Sequence, residues 1–207
     1  MNKVWMVRPL PHRINRMKEF LNDGLIACGW PRTGDLNGKT RENLKAILGK
    51  PPYSYGSLEL GQSYGSLDIL VNQMEIGDLV LVPDGSEINI GEITSDYRYD
   101  ASLANDTDGY PHQRDVEWLK KLLRTDLSGV LRSSLRAQQT ATNLTKHFDE
   151  INALAYGTKP PISLAADNFV STEYPLRPDV LVKISVPKDI TKVEAERLGD
   201  FIKTLYY

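Results

Sequence analysis

Short strand-like runs interleaved with short amphipathic stretches, and one clear hairpin signal near the middle, predict a mixed α+β chain. The expected architecture is a small curved or barrel-like sheet whose ends are plugged by helices. With 207 residues, the chain can build one domain with a proper core and still carry an appendage.

The elements follow in order. "KVWMVRP" alternates Val4 and Met6 against Trp5 and Val7, a first strand stopped by Pro9 and Pro11. Between His12 and Asn22, residues Ile14, Met17, Phe20 and Leu21 recur at helical steps, and Asp23-Gly24 closes the run. "LIACGW" is a short strand. A small helix is expected from Thr40, with Leu44, Ile47 and Leu48 inward and Gly49 as its stop. In "PPYSYGSLELGQSYGSL" the echoed "YGSL" is coincidence. The first copy reads as loop, and the second leads into a helix with a stripe of Leu67, Leu70, Val71 and Met74.

"EIGDLVLVPDGSEINIGEIT" holds the hairpin, two β-rich runs joined by "PDGSE", with Gly91 marking a bend or a close backbone approach. "ASLANDTDG" is a loop, and "HQRDVEWLKKLL" resumes apolar alternation at Val116 and Trp118. Residues 126–156 read as mainly helical. "YGTKPPISLAADN" is linker by composition, and "DVLVKISVP" is a strand before a helix capped by Thr191 or Asp189. The expected division is a first domain over 1–125, a helical segment over 126–156, a linker over 157–170 and a strand–helix unit over 171–207.

Composition narrows the function classes. The apolar fraction is 41% and the charged fraction 25%, ordinary for a globular protein. No uncharged apolar run approaches the roughly 18 residues of a membrane span, and the N-terminal stretch lacks a signal-peptide core. One cysteine, Cys28, excludes an internal disulfide and fits a reducing cytoplasm. Three histidines and that cysteine show no zinc spacing. Net charge is −2, yet residues 1–50 hold ten bases against four acids, and residues 51–110 hold Arg98 alone against eleven acids. Such polarity permits one basic face for phosphate contact.

No glycine-rich phosphate loop, dinucleotide fingerprint or Gly-x-Ser-x-Gly elbow is present. In "RPDVLVK", Asp179 and Lys183 echo a restriction-type nuclease, but position 181 is leucine where a metal-holding acid should stand. No complete catalytic set is read, and nothing calls for a cofactor.

A first strand with Trp5, followed in order by "GLIACGW", "GDLVLVP", "INIGEITSDYRYD" and "HQRDVEWL", resembles PUA-like domains of the EVE type. More closely, it resembles the N-terminal reader domains of modification-dependent restriction endonucleases of the Mrr and McrB kind. The resemblance covers roughly residues 1–145. It implies a PUA-like barrel that flips a modified base out of DNA into an aromatic pocket, in restriction or phage defence. A nuclease or GTPase domain follows in such enzymes. The sixty-odd residues remaining here are too few for either, so the catalytic half is expected to be missing or to belong to another polypeptide, a separate nuclease or GTPase subunit.

The candidate pocket residues are Trp30, Asp96, Tyr97, Tyr99 and Trp5, although Trp5, like Trp118, also fits a core position. Aromatic rings would return part of the cost of unstacking a base, and Asp96 would accept from an exocyclic amine. Lys39, Arg41, Arg98, His112 and Arg114 are the candidate backbone contacts, with Arg98 equally suited to an internal ion pair. RNA is the close variant ligand. The competing reading is a protein-interaction subunit that docks a partner through the acidic middle and the C-terminal strand–helix unit; a small nuclease is a third.

Overall fold

A computed structural model describes residues 2–157, 169–178 and 180–204. It divides into two compact units, Met1–Pro161 and Ile162–Tyr207.

The first unit is mixed α+β around one curled sheet. The strands are β1 (Val4–Val7), β2 (Leu25–Cys28), β3 (Leu79–Asp84), β4 (Glu87–Ile93), β5 (Arg98–Tyr99), β6 (His112–Leu123) and β7 (Ala141–Asn143). Their order is β2-β6-β4-β3-β1-β7, with β5 also paired to β6. β1 lies parallel to β3 and antiparallel to β7, the remaining pairings being antiparallel. Interior placement explains why all four β1 residues are buried: Trp5 and Val7 enter one core cluster, Val4 and Met6 another. Period-two alternation here sorts side chains between two cores rather than between core and water.

The hairpin turns at Gly85-Ser86, where Gly85 takes a left-handed φ of 58° and Asp84 pairs with Glu87. Along β6 the partners change. His112 to Asp115 pair with β2, and the run from Val116 to Leu123 pairs with β4. The β4–β6 register shifts between Ile90 and Gly91. A Cβ on Gly91 would stand 2.3 Å from Val116 Cγ1 and 3.0 Å from the Glu117 carbonyl, so glycine there permits the bulge and the close approach.

Helices α1 (Met17–Asp23), α3 (Ser57–Asp68), α4 (Gly129–Ser134) and α5 (Phe148–Tyr156) pack on the sheet, while α2 (Arg41–Leu48) packs on α3. α2 opens with a reciprocal capping box between Thr40 and Asn43 and ends at Gly49, as expected. Several expectations need correction. α1 starts at Met17, because His12 and Arg13 have φ of 51° and 65°, and it leaves Ile14 exposed. The first "YGSL" is not loop: α3 begins at Ser57 and runs through the second copy into a π-turn at Ile69–Gln73. The π-turn rotates the stripe, so Leu67 and Val71 face one cluster while Leu70 and Met74 face another.

Residues 126–156 carry α4 and α5, as expected, and also contribute the three-residue strand β7. Leu127, Leu131, Leu135 and Ile151 also share a core cluster with Val4, Met6, Leu81 and Ile90, which places this segment within the first unit. The expected linker lies outside the described residues over 158–168, as does Asp179.

The second unit holds an antiparallel hairpin of β8 (Phe169–Arg177) and β9 (Val180–Pro187), and α6 (Lys192–Lys203). Thr191 caps α6 in a box with Glu194. β8 was not expected.

Candidate functional site

The loop after β2 carries the indole at the centre of the site. Trp30 sits at φ 64°, ψ 52°, a left-handed conformation that costs a bulky residue roughly 1–2 kcal/mol. Its carbonyl explains how it stays there. That oxygen accepts from the Thr33 amide at 3.2 Å, the Thr33 hydroxyl at 2.9 Å and His112 Nε2 at 3.2 Å.

His112 is fully buried. Its Nε2 lies 3.2 Å from the Trp30 carbonyl, which can only accept, and 2.9 Å from the Thr33 hydroxyl, which itself donates to that carbonyl. With the proton on Nε2, Nδ1 receives the Tyr97 hydroxyl at 2.8 Å. The Tyr97 oxygen in turn accepts the Leu36 amide at 3.2 Å. Rings of Tyr97 and Tyr99 lie 5.9 and 5.4 Å from the imidazole centroid. This relay uses the neutral imidazole, and burial holds the His112 pKa down at about 4. Burial likewise raises the Tyr97 phenol.

Trp30 half-emerges from this network to line a cavity of about 360 Å³. The other aromatic walls are Tyr53 and Tyr55, with ring centroids 5.4 Å apart and Ser54 between them at φ 51°. Arg13, Glu59 and Asp106 supply the charged rim. Arg32 forks onto Asp106, with Nε at 2.8 and 2.7 Å from the two carboxylate oxygens, and its amide donates to the Tyr53 hydroxyl at 2.9 Å. Burial pushes the Tyr53 phenol up to about 12, so it remains a neutral hydroxyl. Glu59 makes no ion pair among the described residues.

The described residues hold four non-glycine positions of positive φ: His12, Arg13, Trp30 and Ser54. Three line this cavity, and the fourth separates two residues that do. Backbone strain gathers where surrounding structure over-determines a functional geometry.

The expected residues divide accordingly. Trp30 is at the cavity. Trp5 is not: it is 1% exposed, and its indole donates to Asp78 at 2.7 Å. Tyr97 and Tyr99 stand behind Trp30, joined to it through His112, and do not line the cavity. Asp96 is an exposed turn residue away from it. Tyr53 and Tyr55 were missed, although two tyrosines in a Pro- and Gly-rich loop were the available signal.

Among the expected backbone contacts, His112 and Arg114 cannot reach a phosphate. Arg114 is 3% exposed and donates to the carbonyls of Leu70 at 2.5 Å, Val71 at 3.0 Å and Ser95 at 3.1 Å, sealing the π-turn. Burial lowers its pKa, with Asp96 and Asp78 acting the other way. Arg98 pairs with Asp115 at 3.1 Å. The Arg41 guanidinium lies 5.2 Å from the Tyr64 ring centroid and 4.0 Å from Asp68, half exposed. Lys39 is exposed. No group of three or more His, Cys, Asp or Glu able to hold a metal occurs among the described residues, and no helix there is long and apolar enough to cross a membrane.

Comparisons with known proteins place the chain without assigning it an activity. No curated protein matches it. A solved structure, protein Atu2648 from Agrobacterium tumefaciens, is 14% identical over 77% of this chain and 97% of that one, with a TM-score of 0.36, a likeness that carries no argument. A family model described as a domain of unknown function (DUF8426) matches residues 11–145, and the chain belongs to that family.

Proposed function

We propose that this chain is a nucleic-acid-binding module that takes a single, modified base, flipped from DNA, into the cavity walled by Trp30, Tyr53 and Tyr55. In this reading the curled sheet is a PUA-like barrel, and the module serves restriction or phage defence together with a separate effector subunit. The observation that carries the reading is the convergence of three aromatic rings on one hollow lined by three of the four left-handed non-glycine residues among the described residues, the fourth, Ser54, lying between Tyr53 and Tyr55. Its volume of about 360 Å³ lies in the range of small-ligand sites, roughly 300–1,000 Å³.

Extruding a base costs a few kcal/mol, and stacking on aromatic rings returns about 1–3 kcal/mol. A methyl group pressed against a ring adds about 0.8 kcal/mol. Glu59, rather than Asp96, is the acceptor suited to an exocyclic amine, since Asp106 is already committed to Arg32.

Titrating labelled duplexes that carry 5-methylcytosine, 5-hydroxymethylcytosine or N6-methyladenine against plain DNA, with matching RNA, tests this reading. The expected result is preference for one modification, lost in Tyr55→Ala. Equal affinity for every duplex would count against base recognition.

A second reading, a protein-interaction subunit, draws on the exposed apolar side chains of the second unit, including Tyr174, Leu181 and Phe201. Leu181→Asp and Phe201→Asp should abolish partner capture in that case and leave base affinity unchanged.

A further inference from the structure

A second hollow, of about 720 Å³, lies between the β3–β4 turn, the end of β6 and α4. Its charged lining residues are Arg124, Arg132 and Arg136, and Ser86, Thr125 and Ser133 add hydroxyls. None of the three guanidiniums forms an ion pair or a side-chain hydrogen bond among the described residues. The Nε of Arg124 is sealed from solvent and unpartnered. Meanwhile its backbone is fixed, the amide donating to the Ser86 carbonyl at 2.8 Å. The neighbouring Asp126 carboxylate accepts the Leu123 amide at 2.9 Å and forms no ion pair with these arginines among the described residues.

Three arginines facing one hollow repel each other, and a buried donor without an acceptor is costly. A tetrahedral oxyanion relieves the repulsion, since guanidinium forks match phosphate oxygens and hydroxyls fill the remaining acceptor positions. We infer that the hollow lined by Arg124, Arg132 and Arg136 is a binding site for a phosphoryl group, either free or esterified in a nucleic-acid strand. The inference stands apart from the base-binding reading, because it needs a phosphate and no base. The placement nonetheless suits a strand: Arg124 also lines a neighbouring hollow of about 350 Å³ with Arg8, Leu10 and one acid, Asp84, and Leu10 in turn lines the aromatic cavity.

Two probes distinguish the sources: inorganic phosphate, followed by amide shifts in NMR, and a labelled oligo-dT 12-mer, followed by anisotropy at several salt concentrations. The double variant Arg132→Glu/Arg136→Glu alters two exposed side chains, so its fold should survive, with circular dichroism as the check. Lys18→Glu/Lys45→Glu, at exposed positions away from the hollow, has the same change in net charge. Phosphate is expected to shift the amides of residues 124–136 in the native protein and not in the arginine variant. If a strand is the natural source, the 12-mer should weaken at least tenfold in the arginine variant, with the slope of log K against log salt falling by about 1.4. Phosphate binding without oligonucleotide binding assigns the site to a free phosphoryl ligand. Binding of neither probe, or equal losses in both double variants, would overturn the inference.

Discussion

Lowering the pH from 7 to 5 should cost the folded chain about 2 kcal/mol through His112 alone. The imidazole sits at about 4 in the fold because it is buried, whereas the unfolded chain presents an ordinary histidine near 6.5. The unfolded state therefore binds the proton more readily across this window, and stability falls as pH drops. The full effect, about 3 kcal/mol, is reached once pH is below the folded value. Above about pH 7 both states are neutral and the term vanishes. Burial of His147 lowers its pKa as well and adds a contribution of the same sign, so the measurement must isolate His112. Urea unfolding of the native protein and of His112→Gln, at pH 7 and pH 5, does so by difference. The native protein should lose about 2 kcal/mol more than the variant over this interval. Identical losses, or a His112 imidazole titrating near 6.5 by NMR in the folded protein, would refute both the burial argument and the neutral relay from Leu36 through Tyr97 to Trp30.

Three further outcomes follow from the packing. Gly91→Ala should destabilise by about 1–3 kcal/mol, because its methyl would collide with Val116 and the Glu117 carbonyl; a change under about 0.5 kcal/mol in urea would show that β4 and β6 can part at no cost. Arg114→Ala should cost about 3 kcal/mol in urea unfolding by stripping donors from three carbonyls. Cys28 is fully buried and its thiol is pushed up to about 12. Iodoacetamide should therefore leave it unmodified in the native protein and label it completely in guanidinium, as followed by intact mass.

The parts of the fold legible in the sequence are those encoded locally. The β3–β4 hairpin follows from its turn residues, α2 from Thr40 and Gly49, and the bulge from Gly91. β7 was invisible because three residues carry no period, and it exists only through its pairing with β1. His112 and Arg114 look like surface residues in "HQRDVEW", and their burial depends on β2 flanking this half of β6 while β5 covers His112. The direction of the site was half legible. Trp30 between Gly29 and Pro31 marks a special backbone, yet which tyrosines meet it is decided by long-range folding. Tyr97 and Tyr99 arrive behind the indole, and Tyr53 and Tyr55 arrive in front, from a loop whose composition suggested only a connection.

The indole N–H signals offer the most direct examination of the aromatic cavity. Two are committed away from the cavity, Trp5 to Asp78 and Trp118 to the Phe20 carbonyl at 2.9 Å, whereas the Trp30 indole meets Tyr55 at the cavity wall. On adding a short duplex with the preferred modified base, the Trp30 indole resonance should move strongly while those of Trp5 and Trp118 stay in place. A saturated complex in which the Trp30 signal is unmoved would contradict the central claim, because a base held between these rings cannot leave that proton undisturbed.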